Sequence, residues 1–288
     1  MGKGATVAYD DLLVCFNSYP EPTPRGVVAE AARLAAALGV SACAVAGHIT
    51  IPLKNNPVAE LLLHLSEVAR EEEAKSLRNA QSIMRGFQEA ASTLDLSVTT
   101  TILHTDLQHL IDRLTQMART RSLTILPIEA FATVPGGLAE ALIFGSGRPV
   151  VIFAPGRRTI ANPRFERIVV AWDGGRAAAR ALADAMPLLR RAKRVSILTV
   201  TGDKPSLANG ASLELARHLA ASGVAAVCDD IPKTDPDVGR VISDHAVATD
   251  AELLVMGAFG HSRFREFVLG GATQSLLTDP ALPIFMSH

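Results

Sequence analysis

The chain has 288 residues, of which 48% are hydrophobic and 20% charged, and its formal net charge is −1. This length fits two domains of ordinary size, and a nearly neutral chain lacks the basic field that holds nucleic acid through its phosphates. Because no apolar stretch reaches the roughly 18 residues of a membrane-spanning helix and the N-terminus lacks a secretory pattern, we expect a cytoplasmic protein without membrane contact.

Short apolar runs rich in Val, Ile and Leu alternate with longer helical stretches along the first half of the chain. This alternation is typical of buried parallel strands joined by crossover helices. The predicted strands cover residues 12–16, 41–46, 96–103, 123–126 and 150–153. The predicted helices cover residues 25–38, 57–93 and 106–119.

A stretch of polar and turn residues at 154–163 interrupts this alternation, as expected at a domain boundary. We therefore divide the chain into a domain at 1–155 and a second at 164–288. The second half predicts strands at 167–171, 194–200, 224–229, 252–256 and 282–286. Its predicted helices cover 175–190, 208–221, 236–248 and 271–277, with Pro236 in the first turn of the third.

An internal repeat links the two halves. The run from Gly136-Gly-Leu-Ala-Glu-Ala-Leu to Pro149-Val-Val aligns without a gap with the run from Gly270-Gly-Ala-Thr-Gln-Ser-Leu to Pro283-Ile-Phe. Duplication explains this match, and convergence of two strand–helix–strand units is the alternative. We predict an α/β protein with two tandem, doubly wound open parallel sheets of five strands each, packed through equivalent edges about a pseudo-two-fold axis.

Glycines are concentrated between the strand predicted at 252–256 and the helix predicted at 271–277. Gly257 and Gly260 would let the backbone turn sharply and approach a ligand closely. Gly270 and Gly271 place backbone N–H groups at the start of the helix, where the helix dipole favours an anion. The alternative is that these glycines only shape a turn between strand and helix.

This stretch resembles the Gly-x2-Gly-x9-Gly-[Ser/Thr] signature of nucleotide-binding universal stress proteins, whose fold is Rossmann-like, of the adenine nucleotide alpha hydrolase type. Gly257, Gly260 and Gly270 have its spacing. Gly271 stands where the signature has Ser or Thr, so the hydroxyl that would touch a phosphate is missing there. Thr273, two residues further on, is the candidate replacement.

The resemblance implies further residues of a nucleotide site. Asp173 follows the first strand of the second half, where the family has an Asp near the base and ribose; its alternative role is to cap the next helix. Val200 corresponds to the position that contacts adenine through its backbone, and its alternative is a plain core valine. Ala171, Met256 and Ala272 complete the implied site.

The first half has lost most of this pattern. Asn17 stands where the second half has Asp173, and Pro127-Ile-Glu-Ala130 replaces the segment at 257–260. Of the glycines, Gly136-Gly137 remains. We therefore expect the first half to be structural.

Other kinds of site have weak support. His104 and His109 lie five residues apart across a strand–helix junction, which is not the spacing of a zinc helix. The cysteines Cys15, Cys43 and Cys228 are too dispersed for a zinc site or a disulfide framework. No GxSxG or GxxxxGK[ST] motif supplies a nucleophile or a P-loop lysine. Three cations could help to neutralise a triphosphate or simply be solvated: His261, Arg263 and Arg265.

Together these features resemble the tandem universal stress proteins of bacteria, specifically in the second half and architecturally in the first. The resemblance implies a regulator that binds ATP, with Mg²⁺ as a candidate companion, that is at most a slow ATPase, and that acts through an unidentified protein partner. High apolar content favours a homodimer. The main alternative is an interaction or scaffold protein of the same fold that binds no nucleotide. An ATP-using enzyme would need a Ser-Gly-Gly-x-Asp-Ser or His-x-Gly-His motif, which the sequence lacks.

Overall fold

A computed structural model of the chain describes residues 8–52, 65–128, 137–156, 163–203, 210–258, 271–278 and 280–288. In the first half, strands and helices alternate in the order β1 (Leu12–Phe16), α1 (Arg25–Leu38), β2 (Ser41–Ile49), α2 (Leu65–Ala91), β3 (Ser97–Thr105), α3 (Leu107–Ala118), β4 (Leu123–Pro127), α4 (Leu138–Gly145) and β5 (Val150–Phe153). The second half continues with β6 (Arg167–Ala171), α5 (Arg176–Leu189), β7 (Arg194–Thr201), α6 (Ala211–Ala221), β8 (Ala226–Pro232), α7 (Val238–Ala248), β9 (Leu253–Gly257), α8 (Gly271–Thr278) and β10 (Ile284–Ser287).

The structure confirms the predicted α/β fold, and β1, β5, β6 and α1 have the predicted bounds. The first part of the helix predicted at 57–93 lies outside the described residues before Leu65. Helix α4 was not among the predicted elements. The prediction that Pro236 lies in the first turn of a helix was wrong, because α7 begins at Val238. Asp237 is its N-cap residue, and the Asp237 carboxylate accepts the Gly239 N–H at 2.9 Å.

The described strands form one sheet in the order β3-β2-β1-β4-β5-β10-β9-β6-β7-β8. Within each half the strands are parallel, and both halves repeat the same order outward from the centre. The predicted equivalent edges do meet, but the prediction of two separate sheets was wrong. β5 and β10 pair antiparallel, from Ile152 opposite Ile284 to Val150 opposite Met286, so each strand satisfies the backbone groups of the other's edge.

Helices cover both faces of the sheet. Successive residues of β1 point to opposite faces, as Leu12 and Leu13 do, and each face has its own buried apolar cluster. Helices α1, α2, α5 and α6 contribute to one cluster, and α3, α4, α7 and α8 to the other. Each cluster contains residues of both halves, so the core continues across the junction.

A polar contact also links the halves beside the central strand pair. The Tyr9 hydroxyl donates to the Asp184 carbonyl at 2.7 Å, and the Tyr9 ring stacks on Phe285 with 6.3 Å between centroids. The Asp184 carboxylate accepts from the Ser287 hydroxyl at 2.9 Å. Burial, and secondarily the charge of Asp184, raises the pKa of Tyr9, so this phenol stays a donor.

The antiparallel junction fixes where the strand ends lie. Because β5 and β10 run in opposite directions, the carboxyl ends of β1–β5 and those of β6–β10 point to opposite edges of the sheet. Ligands of open α/β sheets bind beyond the carboxyl ends of the strands. The two halves therefore present their candidate binding edges on opposite sides of the molecule. None of the helices in the described ranges combines the length and the apolar character needed to cross a membrane.

Candidate functional site

A cavity of about 550 Å³ lies at the carboxyl ends of the strands in the second half. Its walls come from segments that are distant in sequence: the ends of β6, β7 and β9, the β8–α7 connection, and the starts of α5, α7 and α8. This volume falls in the range of small-molecule binding sites.

Most residues of the site predicted from sequence line this cavity together: Ala171, Asp173, Val200, Met256, Gly257, Gly271, Ala272 and Thr273. Gly260 and Gly270 lie outside the described residues, as do His261, Arg263 and Arg265. The structure thus brings together strand ends that are more than 80 residues apart in sequence. Val200, Met256 and Thr273 are buried in the wall.

Asp173 occupies the short connection between β6 and α5. One of its carboxylate oxygens accepts the Gly175 N–H at 2.8 Å. Gly175 is itself the N-cap residue of α5, and no side chain caps that position. Asp173 is therefore not the N-cap residue of α5, although it accepts the N–H of that residue. It shapes the turn that leads into the helix, and it also lines the cavity.

Gly257 is needed for packing between a strand and a helix. A Cβ added there would lie 2.3 Å from the Ala178 nitrogen and 2.4 Å from the Ala177 carbonyl carbon. These backbone atoms belong to the first turn of α5, so no side-chain rotation could relieve the overlap. The sequence interpretation, in which Gly257 allows a sharp turn and a close ligand, was incomplete because it could not include α5.

Gly271, by contrast, has room for a side chain among the described residues. It is the first described residue of α8, and a Cβ added there would find no described atom within 4 Å. The first turn of α8, including Ala272 and Thr273, faces the cavity. The N–H groups of a first helical turn have no partner inside the helix, and the helix dipole makes this end attractive to an anion.

Several charged residues that line the cavity were not predicted from the sequence. Lys233 and Asp203, which follow β8 and β7, form an ion pair with 2.8 Å between Nζ and Oδ1. Asp237 caps α7 and also accepts from the Ser275 hydroxyl of α8 at 2.5 Å. Lys233 and Asp203 could have been identified from the sequence by their position just after the ends of strands, where ligands of such sheets bind.

Trp172 is a further lining residue that the sequence did not single out. Its indole Nε1 is buried and makes no hydrogen bond within the described part of the chain. A buried donor without a partner is costly, and an acceptor on a ligand is one way to satisfy it.

In the first half, the loop from β1 to α1 at the corresponding edge is longer than its counterpart. Eight residues, 17–24, connect β1 to α1, whereas four, 172–175, connect β6 to α5. Within the longer loop, the Asn17 side-chain amide donates to the Glu21 carbonyl at 2.8 Å, and Thr23 Oγ1 accepts the Asn17 N–H at 2.9 Å. Asn17, the counterpart of Asp173, is thus buried in loop contacts.

The strand register identifies the counterpart of Val200. Leu12 pairs with Ala42, and Ile168, the counterpart of Leu12, pairs with Val195, so Gly47 holds the strand position of Val200. The Gly47 carbonyl accepts from the hydroxyls of Ser18 and Ser76. The strand position that lines the cavity in the second half, Val200, is therefore occupied in the first half by a residue whose carbonyl is already hydrogen-bonded within the protein.

Comparisons with known proteins agree with this architecture. Residues 164–287 match the model of the Universal stress protein family. A universal stress protein from Archaeoglobus fulgidus DSM 4304 superposes with a TM-score of 0.64 and 16% identity, covering 96% of this chain and 97% of that chain. A putative universal stress protein from Pseudomonas aeruginosa UCBPP-PA14 gives 0.50 and 15%, covering 97% and 93%. At these identities the structural likeness shows the fold alone, and no curated protein matches the sequence significantly.

Proposed function

We propose that this chain is a tandem universal stress protein in which the domain at 164–288 binds ATP and the domain at 1–155 serves as a structural partner. The observation that carries this proposal is the common cavity. Ala171, Asp173, Val200, Gly257 and Gly271, selected from sequence as nucleotide ligands, come from separate segments and line the same space.

The lining of the cavity supports an elongated ligand with one anionic end. It extends from Gly257 at the end of β9 to Lys233 after β8. In the sheet order this crosses three strand spacings, or about 14 Å at about 4.8 Å per spacing. The start of α8 suits phosphates. Val200 and Ile242 are apolar and suit a base, and Asp173, in the connection after β6, can accept hydrogen bonds from ribose hydroxyls.

Mg²⁺ would accompany the phosphates rather than occupy a dedicated protein cage. This ion keeps several waters and binds through substrate phosphates with one or two carboxylates. Asp173, Asp203 and Asp237 all line the cavity, but each is already engaged in the turn, ion pair or cap described above. We therefore propose that ATP acts through occupancy, which alters a surface for a protein partner, and that hydrolysis is slow at most.

Titration calorimetry with ATP and Mg²⁺ tests the proposal directly. We expect saturation near one nucleotide per chain, because the first half has lost most of the glycine pattern and its Asn17 is buried in loop contacts. Gly271→Val should weaken binding about tenfold or more, since it adds a side chain beside the cavity where the described fold has room for it.

Gly26→Val is the matched control. Gly26 also lies in the first turn of a helix, α1, and its added Cβ likewise meets no described atom within 4 Å, but it is remote from the cavity. This variant should bind ATP like the wild type. If Gly271→Val binds as tightly as Gly26→Val, the cavity is not the nucleotide site.

The second candidate is a scaffold protein that binds no nucleotide. Gly271, in place of the Ser or Thr of the signature, is the observation that favours it. Mass spectrometry of ligand released from freshly purified protein separates the two candidates. If no nucleotide is released and the addition of ATP and Mg²⁺ gives no heat signal, the protein is a scaffold and our proposal of ATP binding is wrong.

A further inference from the structure

Two histidines meet at the carboxyl edge of the first half. His48 of β2 and His104 of β3 are register partners on neighbouring parallel strands. Their Nδ1 atoms lie 2.8 Å apart, and the rings meet edge to face with 4.8 Å between centroids. His104 is exposed and His48 half-buried, so the pair is accessible to solutes.

The backbone around both histidines is held in place. On one side of His48, the Gly47 carbonyl accepts from the Ser76 hydroxyl; on the other, the Ile49 N–H donates to the same hydroxyl at 2.9 Å. The His104 carbonyl accepts from the Arg113 guanidinium at 3.1 Å. These contacts fix the two Cα positions, so only the imidazole rings need to adjust to a shared ligand.

The separation of the nitrogens is that of a hydrogen bond, and it is also close to that of two cis ligands of one metal. Two imidazole nitrogens at about 2.0 Å from a metal lie about 2.8 Å apart when they are cis in a square plane or an octahedron. In a tetrahedron they lie about 3.3 Å apart. We infer that His48 and His104 form a chelating site for a divalent cation that accepts two cis nitrogen ligands, Cu²⁺ or Ni²⁺.

Neutral imidazoles can form this site without losing a proton. One Nδ1 now donates to the other, and binding would place that proton on Nε2 of the same ring. Both Nδ1 lone pairs then face the cation. The described residues contain no cluster of three or more His, Cys, Asp or Glu that could hold a metal, so within those residues the two imidazoles are the protein ligands.

Charged groups near the pair come from both adjoining helices. The Glu73 carboxylate of α2 accepts the Ile51 N–H at 2.7 Å, three residues beyond His48. Arg113 of α3 lies at the His104 carbonyl, as described above.

Electron paramagnetic resonance of the untagged full-length protein with one equivalent of Cu²⁺ tests this inference. We expect nitrogen splittings from two imidazoles in the wild type and a change in that pattern in His104→Asn. Calorimetry should show Cu²⁺ affinity lowered about tenfold or more in His48→Asn and in His104→Asn.

His109→Asn is the control, because His109 is exposed on the same edge but pairs with Asp106 at 2.8 Å. It should bind Cu²⁺ like the wild type. Equal Cu²⁺ affinity in the wild type, His104→Asn and His109→Asn would overturn the inference. A wild-type spectrum without two coupled imidazole nitrogens would overturn it too, whether or not the variants fold.

Discussion

At the scale of single residues, the two described glycines of the cavity have different roles. Gly257→Ala should lower the free energy of unfolding by about 2–3 kcal/mol, because its Cβ would overlap backbone of α5. Gly271→Ala, whose Cβ would meet no described atom within 4 Å, should change the stability by no more than about 0.5 kcal/mol. Urea unfolding of both variants measures the contrast. Equal losses would mean that the α5 contact does not set the requirement at Gly257.

A buried acid offers a second test at this scale. Burial raises the pKa of Glu30, while the Gly156 N–H and the charge of Arg33 partly oppose this rise. A carboxyl whose pKa is raised by folding makes the protein less stable when it ionises, that is, above its unfolded pKa. Glu30→Gln removes this ionisation.

The Glu30→Gln variant should therefore be more stable than the wild type near pH 7. The difference in stability should disappear as the pH falls through the raised pKa of Glu30 toward the ordinary pKa of a glutamate, because both side chains are then neutral. Urea unfolding of both proteins across this pH range gives the difference directly. A gap that is constant with pH would contradict the raised pKa.

At the scale of elements, Asp237 joins two helices that border the cavity. Asp237→Ala removes the cap of α7 and the bond to Ser275 of α8, so it should lower the free energy of unfolding by about 1–2 kcal/mol. If the proposed function holds, it should also weaken ATP binding, because α8 loses an anchor.

Asp106→Ala supplies the matched control, since Asp106 caps α3 in the first half by accepting the His109 N–H at 2.9 Å. This variant should lose stability without losing ATP affinity in calorimetry. Weakened ATP binding in both variants would point to a general loss of structure instead of a local anchor.

The bounds of elements were predictable where local sequence decides them. Short apolar runs flanked by polar residues located β1 and β6 to the residue. β2 continues past the predicted end at Ala46 to Ile49, because its last residues pair with β3. This pairing depends on β3, whose partner residues lie 56 residues further along the chain. The hydrophobic periodicity of β2 alone does not predict it.

Features that depend on distant elements were not predictable. The cavity residues carried by the family signature were found from sequence, whereas Lys233 and Asp203 become recognisable only once β7 and β8 are neighbours. The same holds for His48 and His104, which are 56 residues apart. The repeat predicted that equivalent edges meet, but not that β5 and β10 are hydrogen-bonded in one sheet, because a buried strand has the same apolar pattern beside either neighbour.

At the scale of the whole molecule, the shared sheet and cores predict cooperative unfolding. The sole tryptophan, Trp172, lies in the second half and reports on it by fluorescence, while far-ultraviolet circular dichroism reports on all helices. Both signals should change together with urea, because each apolar cluster contains residues of both halves. Separate transitions would show that the halves unfold independently.

The same sheet restricts how a homodimer, expected from the apolar composition, could form. β5 and β10 pair with each other inside one chain and are not available as edges. The sheet ends instead at β3 and β8. A dimer would have to use these strands or helical faces, and sedimentation of the full chain measures whether it forms.

The antiparallel pair of β5 and β10 also bears on how the two halves could diverge in evolution. A symmetric homodimer encoded by one gene receives every substitution twice, once in each subunit, so neither copy of a site can be lost alone. Joining equivalent edges within one chain removes that constraint. Asn17 and Asp173 are separate positions of one chain, so a substitution at either one leaves the other residue and the junction unchanged.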